Sequence, residues 1–216
     1  PFKSAWILHQ KFLKDNKKIL YLLTDDGLKT VVKRISNSKK QTRKANLQPF
    51  TCYQVATAWA QSISSVHKME AIPPVFWLQG NALYAGLYLN EITYKILKKY
   101  QPEATLIKAY QHALSQLNEL KTNTMNYIAL ASILRYYEKS LLQSIGFSID
   151  WSVINCSKHY IYDPNGEGFK EDGDGIKGQD WLKIKDGQFD EAKIRQLAKQ
   201  CYQSTIKLHI LPDKLC

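Results

Sequence analysis

The hydrophobic pattern of this 216-residue chain changes its period near residue 80, and that change limits how the chain can fold. Before it, short apolar runs end in turns, as Ile19–Leu23 ends in Asp25-Asp26-Gly27. An Asp-Gly dipeptide between two such runs is a strong β-hairpin signal. After it, apolar residues recur every three or four positions, the spacing of amphipathic helices. The sequence therefore predicts an α+β protein with strands first and helices second.

The first 80 residues predict a small β-barrel. About five short strands are expected, with a break at Ile72-Pro73-Pro74 between the last two candidates. A five-stranded OB-fold is the best-known nucleic-acid-binding barrel of this size, and an SH3-like barrel would leave the same pattern. The strand candidates are Ala5–Leu8, Ile19–Leu23, Leu28–Lys33, Leu47–Ala56, Val66–Met69 and Val75–Leu78.

Residues 81–216 predict a mainly α-helical C-terminal domain. Three amphipathic helices are expected, at about 81–101, 103–120 and 126–145, and a last helix at about 190–207. Residues 147–189 lack a regular period and suggest only a small hairpin. The predicted domains are thus an OB-fold at 1–80 and a helical domain at 81–216, with an irregular insertion at about 147–189.

Positive charge is concentrated in the N-terminal part of the chain. The formal net charge is +11, and residues 1–80 hold 13 of the 30 basic residues but only four acidic ones. A cationic loop on a β-domain suits a phosphate backbone, although a solubilising loop would have the same composition. We predict that the seven cations between residues 29 and 46 bind DNA: Lys29, Lys33, Arg34, Lys39, Lys40, Arg43 and Lys44.

Four aromatic residues of the predicted barrel are candidates to stack on nucleic-acid bases. Stacking on aromatic side chains is a common, sequence-tolerant part of single-strand binding. Each of these residues fits a core position as well. They are Trp6, Tyr21, Tyr53 and Trp59.

The sequence contains no motif for catalysis or for a cofactor. The five histidines are isolated, and the four cysteines form no Cys-x-x-Cys pair, so we expect neither a metal site nor a disulfide framework. Asp163–Asp174 half resembles a calcium loop but carries Glu at the fifth position and the short Asp at the twelfth. We expect no cofactor and no enzyme activity, although a site assembled from distant residues can escape this kind of search.

The sequence also gives an expectation for cellular location. No apolar run approaches the roughly 20 residues that span a bilayer, and the first residues lack a signal-peptide pattern. We therefore expect a cytoplasmic protein with no membrane partner.

Arg135 is a second candidate binding residue. It is one of four arginines and lies among apolar residues of the third predicted helix. A guanidinium beside an apolar surface can bind a carboxylate with two hydrogen bonds. The alternative is a structural ion pair with Glu138 in the same helix, or with Glu91.

Three blocks of this sequence resemble the bacterial RecO family of recombination mediators. They are Leu47–Phe50 after the basic segment, Leu83–Glu91, and Leu134–Glu138 followed by Leu141-Leu142 and Gly146-Phe147. The resemblance extends in order from Trp6 to the last predicted helix. It implies an N-terminal OB-fold and a C-terminal helical domain, in agreement with the hydrophobic pattern.

The resemblance also implies a function. Proteins of this family bind single- and double-stranded DNA, anneal complementary strands, and act with RecR to help RecA replace the single-strand-binding protein SSB. They do so without nucleotide hydrolysis. The acidic C-terminal tail of SSB ends in an apolar residue with a free carboxylate. In the family an arginine of the third-helix motif contacts this tail, and the resemblance implies that role for Arg135 at the matching position. Association with the nucleoid is expected.

The sequence departs from the family at two places. Some members carry a four-cysteine zinc site after the third helix, whereas Cys156 stands alone here, which indicates the zinc-free branch. Ile35 replaces a glycine that is usual in the basic segment. Two other functions remain open from the residues alone: a general OB-fold protein that binds RNA or DNA, and a metal-dependent nucleic-acid-processing enzyme.

Overall fold

The protein divides into two compact units, Pro1–Thr122 and Asn123–Cys216. The computed structural model describes residues 2–14, 16–35, 47–59, 63–120, 126–166 and 168–210. Strands dominate the beginning of the chain and helices follow. The predicted α+β class is therefore confirmed.

The described residues of the first unit form an OB-like half-barrel and two helices. Its sheet is mixed and has the strand order β5-β3-β2-β1-β4-β6, in which β5 runs parallel to β3 and the other pairs are antiparallel. The described part holds six strands in this sheet rather than the expected five, because a two-residue strand joins one edge. The elements are β1 (Phe2–Leu13), β2 (Lys17–Thr24), β3 (Gly27–Arg34), β4 (Thr51–Ala56), β5 (Ser64–Ser65), β6 (Lys68–Val75), α1 (Gly80–Leu97) and α2 (Leu106–Glu119).

The predicted hairpin between β2 and β3 is confirmed. Thr24 pairs with Gly27 across the two-residue connection Asp25-Asp26, and Gly27 has a φ of +87°, which favours glycine. From this turn the register continues to the pair Lys17 and Arg34. One face of the sheet forms a core whose residues are Ala5, Ile7, Leu20, Leu22, Val31, Tyr53 and Val55.

The predicted break at the two prolines is wrong. Strand β6 runs through Pro73 and Pro74, and only Val75 of the expected last strand is extended sheet. β6 is an edge strand, and its register against β4 shifts at this point, so that Thr51 faces Val75 while Cys52 faces Ile72. Proline lacks an N–H to donate, and a bulge on an edge strand requires none.

Helix α1 packs closely against the sheet of the first unit and against the residues that flank it. A Cβ added at Gly86 would lie 2.5 Å from Leu78 and 2.9 Å from Phe50, so no larger residue fits there without movement. The buried Asn90 side chain donates to the Ile7 carbonyl and accepts a hydrogen bond from the Tyr110 hydroxyl of α2. One buried amide therefore joins β1, α1 and α2.

The first compact unit extends beyond the predicted boundary at residue 80, because α1 and α2 pack with the sheet. Residue 80 marks the change from strand to helix along the chain. That residues 1–80 form a domain of their own stays a prediction.

The described residues of the second unit form three helices and a small sheet. Asn126 caps the first helix by accepting a hydrogen bond from the Ala129 amide. The segment expected to be irregular holds a three-stranded sheet of order β8-β7-β9 and a short helix. The elements are α3 (Tyr127–Ser144), β7 (His159–Asp163), β8 (Gly168–Glu171), β9 (Ile176–Lys177), α4 (Gly178–Lys185) and α5 (Ala192–Ile210).

An aromatic cluster holds this small sheet against α4. Phe169 is in edge or tilted contact with three other rings at centroid distances of 4.9–5.2 Å. The Trp181 indole donates to the Tyr160 carbonyl, which ties α4 to the central strand. The rings around Phe169 are Trp151, Tyr162 and Trp181. Within the described ranges, no helix combines the length and hydropathy that crossing a bilayer requires.

Candidate nucleic-acid interface

The predicted DNA-binding cations fall into three groups. Lys39, Lys40, Arg43 and Lys44 lie outside the described residues. Lys33 and Arg34 lie together at the end of β3, whereas Lys29 lies four residues away near the hairpin turn. There its charge lowers the pKa of Asp26, after the larger effect of the hydrogen bond from Lys3. Among the predicted DNA-binding residues that the structure describes, only Lys33 and Arg34 therefore lie together at one end of β3.

Other cations join Lys33 and Arg34 on neighbouring strands. The pairing of β1 with β4 ends at Trp6, but its pairing with β2 continues to Leu13, and β2 pairs with β3 as far as Arg34. The ends of β1, β2 and β3 thus extend past β4. We call this extension the basic arm and define it by six residues: Lys11, Lys14, Lys17, Lys18, Lys33 and Arg34.

Like charges face each other directly on the basic arm. Lys18 is opposite Lys33, and Lys17 is opposite Arg34, across the antiparallel pair β2 and β3. Residues directly opposite on antiparallel strands share a face and lie about 5 Å apart, so like charges there destabilise the sheet. Burial lowers the pKa of the Lys33 ammonium. A bound polyanion would neutralise both pairs.

One backbone hydrogen bond joins the ends of β2 and β3 at the tip of the arm. The Ile35 amide donates to the Asn16 carbonyl at 2.7 Å, which extends the β2 and β3 contact by one residue. Asn16 has a φ of +55° in the short connection between β1 and β2, a conformation that Asn tolerates. The Ile35 backbone, which stands where the resemblance led us to expect a glycine, is therefore held in a ladder contact.

Four of the arm lysines were missed as site residues in the sequence, where they counted only toward net charge. The signal was present, since a two-residue turn at Asp25-Asp26 fixes which residues of β2 and β3 are opposite. That register places Lys17 and Lys18 against Arg34 and Lys33. The sequence did not show how far β2 and β3 extend, and only strands of this length carry the pairing as far as Lys17 and Arg34.

Of the four predicted stacking aromatics, two are core residues. Trp6 is 1% exposed and Tyr53 is 5% exposed. Tyr21 is half-buried and its ring contacts those of His9 and Tyr94. Trp59 is half-buried, and the Lys3 ammonium lies 5.9 Å from its ring centroid.

The structure places Arg135 in an ion pair inside the second unit. Its Nη2 donates to Oε1 of Glu138 at 2.6 Å, and the two side chains are 5% and 0% exposed. The Nε atom of Arg135 is buried and, within the described residues, has no hydrogen-bond partner. Glu91, the other alternative partner, bonds Lys95 in α1. The intrahelical pair considered from the sequence is therefore formed.

Two residues near this pair, Cys201 and Tyr202, are buried. Burial and, to a smaller extent, the charge of the Glu138 carboxylate raise the pKa of the Cys201 thiol to about 12, while the charge of Arg135 acts in the opposite direction. Burial also raises the pKa of Tyr202. Neither group ionises near neutral pH, so both act as packing residues of α5 against the pair.

Metal-binding geometry is not found in the described part of the chain. No group of three or more His, Cys, Asp or Glu side chains there is placed to hold an ion. In the loop that half resembles a calcium site, the Asp163 carboxylate accepts a hydrogen bond from the Asn165 amide as in an ordinary turn.

Comparison with known proteins agrees with the resemblance seen in the sequence. The family described as "Recombination protein O N terminal" matches residues 3–75. The "DNA repair protein RecO" of Pseudoalteromonas translucida is 28% identical over 216 residues, covering 95% of this chain and 90% of that protein. The proteins of the same name from Haemophilus influenzae (strain PittGG) and Methylococcus capsulatus are each 26% identical, covering 96% and 95% of this chain and 90% and 86% of their own lengths. The matched family domain spans the sheet with its basic arm, and the similarity to proteins named "DNA repair protein RecO" continues through both units.

Proposed function

We propose that this protein is a DNA-binding recombination mediator in DNA repair. It binds single- and double-stranded DNA, anneals complementary strands, contacts the C-terminal tail of SSB, and with RecR assists the loading of RecA at the nucleoid. The chemistry is binding and exchange of strands, which requires no catalytic residue and no cofactor. The similarity to proteins named DNA repair protein RecO supports the repair role, and the basic arm supports DNA binding.

The single observation that carries DNA binding is the basic arm. Six cations extend on three paired strand ends, and two pairs of like charges face each other there at a cost to the fold. Binding a polyanion releases condensed counterions and relieves this repulsion. Two strands neutralised on one such surface no longer repel each other, which favours annealing.

Annealing of two complementary strands, each first coated with SSB, tests this function. We expect this protein to accelerate annealing without any added nucleotide. A parallel reaction uses SSB that lacks its acidic tail. In that reaction the contact between this protein and the tail should be lost, whereas DNA binding should remain. A protein that prefers RNA and ignores SSB-coated strands would instead be a general OB-fold binder.

We also propose that α3 binds the SSB tail through Arg135. The support is the matching position in the family motif, the buried Nε without a hydrogen-bond partner among described residues, and the exposed Tyr136 beside it. The tail carboxylate must share the guanidinium with Glu138, because the pair is closed in the absence of a ligand.

A double substitution tests the role of Arg135 without breaking the fold. Arg135→Ala alone leaves the Glu138 charge buried without its cation, so lost binding would be ambiguous. In Arg135→Met with Glu138→Leu, both charges are replaced by apolar groups of similar size. We expect this variant to fold, bind single-stranded DNA normally, and fail to bind a peptide that copies the SSB tail. Normal peptide binding would show that Arg135 is only a structural residue.

A further inference from the structure

Phe12 is the most exposed large apolar residue that the structure describes in the first unit. Its side chain is 80% exposed on the outer half of β1, beyond the point where β4 stops pairing. Trp6 on the same strand and Tyr53 on β4 are buried, and none of the sequence patterns singled out Phe12. An exposed ring at this place has no role in the core.

Two lysines lie in line with this ring across the sheet. Phe12 is opposite Lys18 on β2, and Lys18 is opposite Lys33 on β3, so the three residues form one row on one face. The Lys18 ammonium is 4.4 Å from the Phe12 ring centroid and 3.1 Å from Oε1 of Gln10. The row lies next to the core row of Leu20 and Val31 on the same face of the sheet.

We propose that this row is a subsite for one nucleotide of single-stranded DNA, in which an unpaired base stacks on Phe12 and the flanking phosphates bind Lys18 and Lys33. This inference rests on the proposed DNA-binding function and adds a preference for unpaired bases. An exposed ring gives every base a stacking surface, and cations beside it bind the backbone. In a duplex the bases already stack on each other, so the ring gains no partner.

The charge of the row selects this occupant over an apolar protein segment. Lys18 and Lys33 repel each other on their common face, and the neighbouring arm positions Lys11, Lys14 and Lys17 add to the same field. A ligand that covers Phe12 must therefore bring negative charge as well as a flat apolar surface. A nucleotide with an unpaired base has both.

Binding to two ligands that differ only in their bases tests the subsite. The ligands are a fluorescent oligothymidine and an abasic oligonucleotide of the same length and phosphate count. We expect Phe12→Leu to weaken oligothymidine binding by about 5-fold or more, which corresponds to the loss of one base–aromatic stack. Binding of the abasic oligonucleotide should be unchanged, and Phe12→Trp should keep wild-type affinity for both.

The matched control is Phe2→Leu. Phe2 lies on the same strand, is 51% exposed and is also near a lysine, since the Lys68 ammonium lies 5.8 Å from its ring, but it is outside the basic arm. Phe2→Leu should leave the affinities for the oligothymidine and for the abasic oligonucleotide unchanged. Equal weakening of both ligands by Phe12→Leu would show that Phe12 only positions Lys18, and no weakening would also overturn the subsite. Failure of the wild type to bind either ligand would overturn the proposed function itself.

Discussion

At the scale of single residues, the basic arm holds charges that oppose the fold. Lys33 faces Lys18 across the sheet, and burial lowers the pKa of its ammonium. We expect Lys33→Met, which keeps the apolar stem, to raise the free energy of unfolding by a few tenths to about 1 kcal/mol. The same change should weaken DNA binding. Urea unfolding and a single-strand titration measure the two effects.

Lys29→Met is the control for this prediction. Lys29 is on the same strand but near the Asp26 carboxylate, so its removal should not stabilise the protein. The pH dependence gives a second check. Because the unfolded chain keeps the Lys33 proton to higher pH than the folded chain, wild-type stability relative to Lys33→Met should rise as the pH approaches 10.5. Destabilisation by Lys33→Met near neutral pH would contradict the repulsion.

Arg135 gives a prediction of opposite sign. The ion pair with Glu138 is buried, so Arg135→Ala should lower the free energy of unfolding by about 3–5 kcal/mol. Adding Glu138→Leu to Arg135→Met should restore most of the stability, because the apolar pair leaves no charge behind. Denaturant unfolding of the single and double variants measures this. Equal losses for Arg135→Ala and for the double variant would mean that the pair is not coupled.

The surroundings of a residue were predictable from the sequence only where they depend on nearby residues of the same element. The spacing of three between Arg135 and Glu138 suggested the ion pair that the structure contains. Phe12 was not predictable, because an apolar residue in a strand is normally read as core. Its exposure follows from the point at which β4 stops pairing, which depends on a partner strand some 40 residues away.

At the scale of elements, the close contact of α1 with the residues that precede β4 and follow β6 depends on Gly86. A Cβ there would lie within 3 Å of Leu78 and Phe50, both of which are buried. We expect Gly86→Ala to destabilise the protein by about 1–3 kcal/mol through overpacking, despite the higher helix propensity of Ala. Thermal unfolding measures this loss.

Gly173→Ala is the control for the Gly86 prediction, since its added Cβ meets nothing within 4 Å. That variant should keep wild-type stability. If Gly86→Ala were instead stabilising, helix propensity would outweigh the contact with Leu78 and Phe50, and tight packing at this position would be contradicted.

Element type was largely predictable and element ends were not. The helices of α1, α2 and α3 and the hairpin of β2 and β3 follow from local periodicity and turn chemistry. Strand β6 continues through two prolines because it lies at the edge of its sheet. Helix α4 packs through Trp181 against the aromatic cluster around Phe169. Those contacts join residues distant in sequence, so no local pattern contained them.

At the scale of the whole molecule, the unequal distribution of charge sets how DNA is bound. The first 80 residues carry a net +9 of the chain's +11. Binding dominated by phosphate contacts weakens steeply and linearly on a plot of log affinity against log salt, with a slope of about −0.7 per phosphate for single strands. We therefore expect the affinity for different single-strand sequences to be similar and to fall together with salt.

The most direct test of the account is the salt slope of single-stranded DNA binding for an arm variant in which Lys17, Lys18, Lys33 and Arg34 are replaced by Gln. The control variant carries the same charge change on exposed positions of the second unit, Lys170, Lys177, Lys185 and Lys199. We expect the slope of the arm variant to fall by about 3 while that of the control stays at the wild-type value. Equal slopes for the two variants would contradict the assignment of DNA binding to the basic arm.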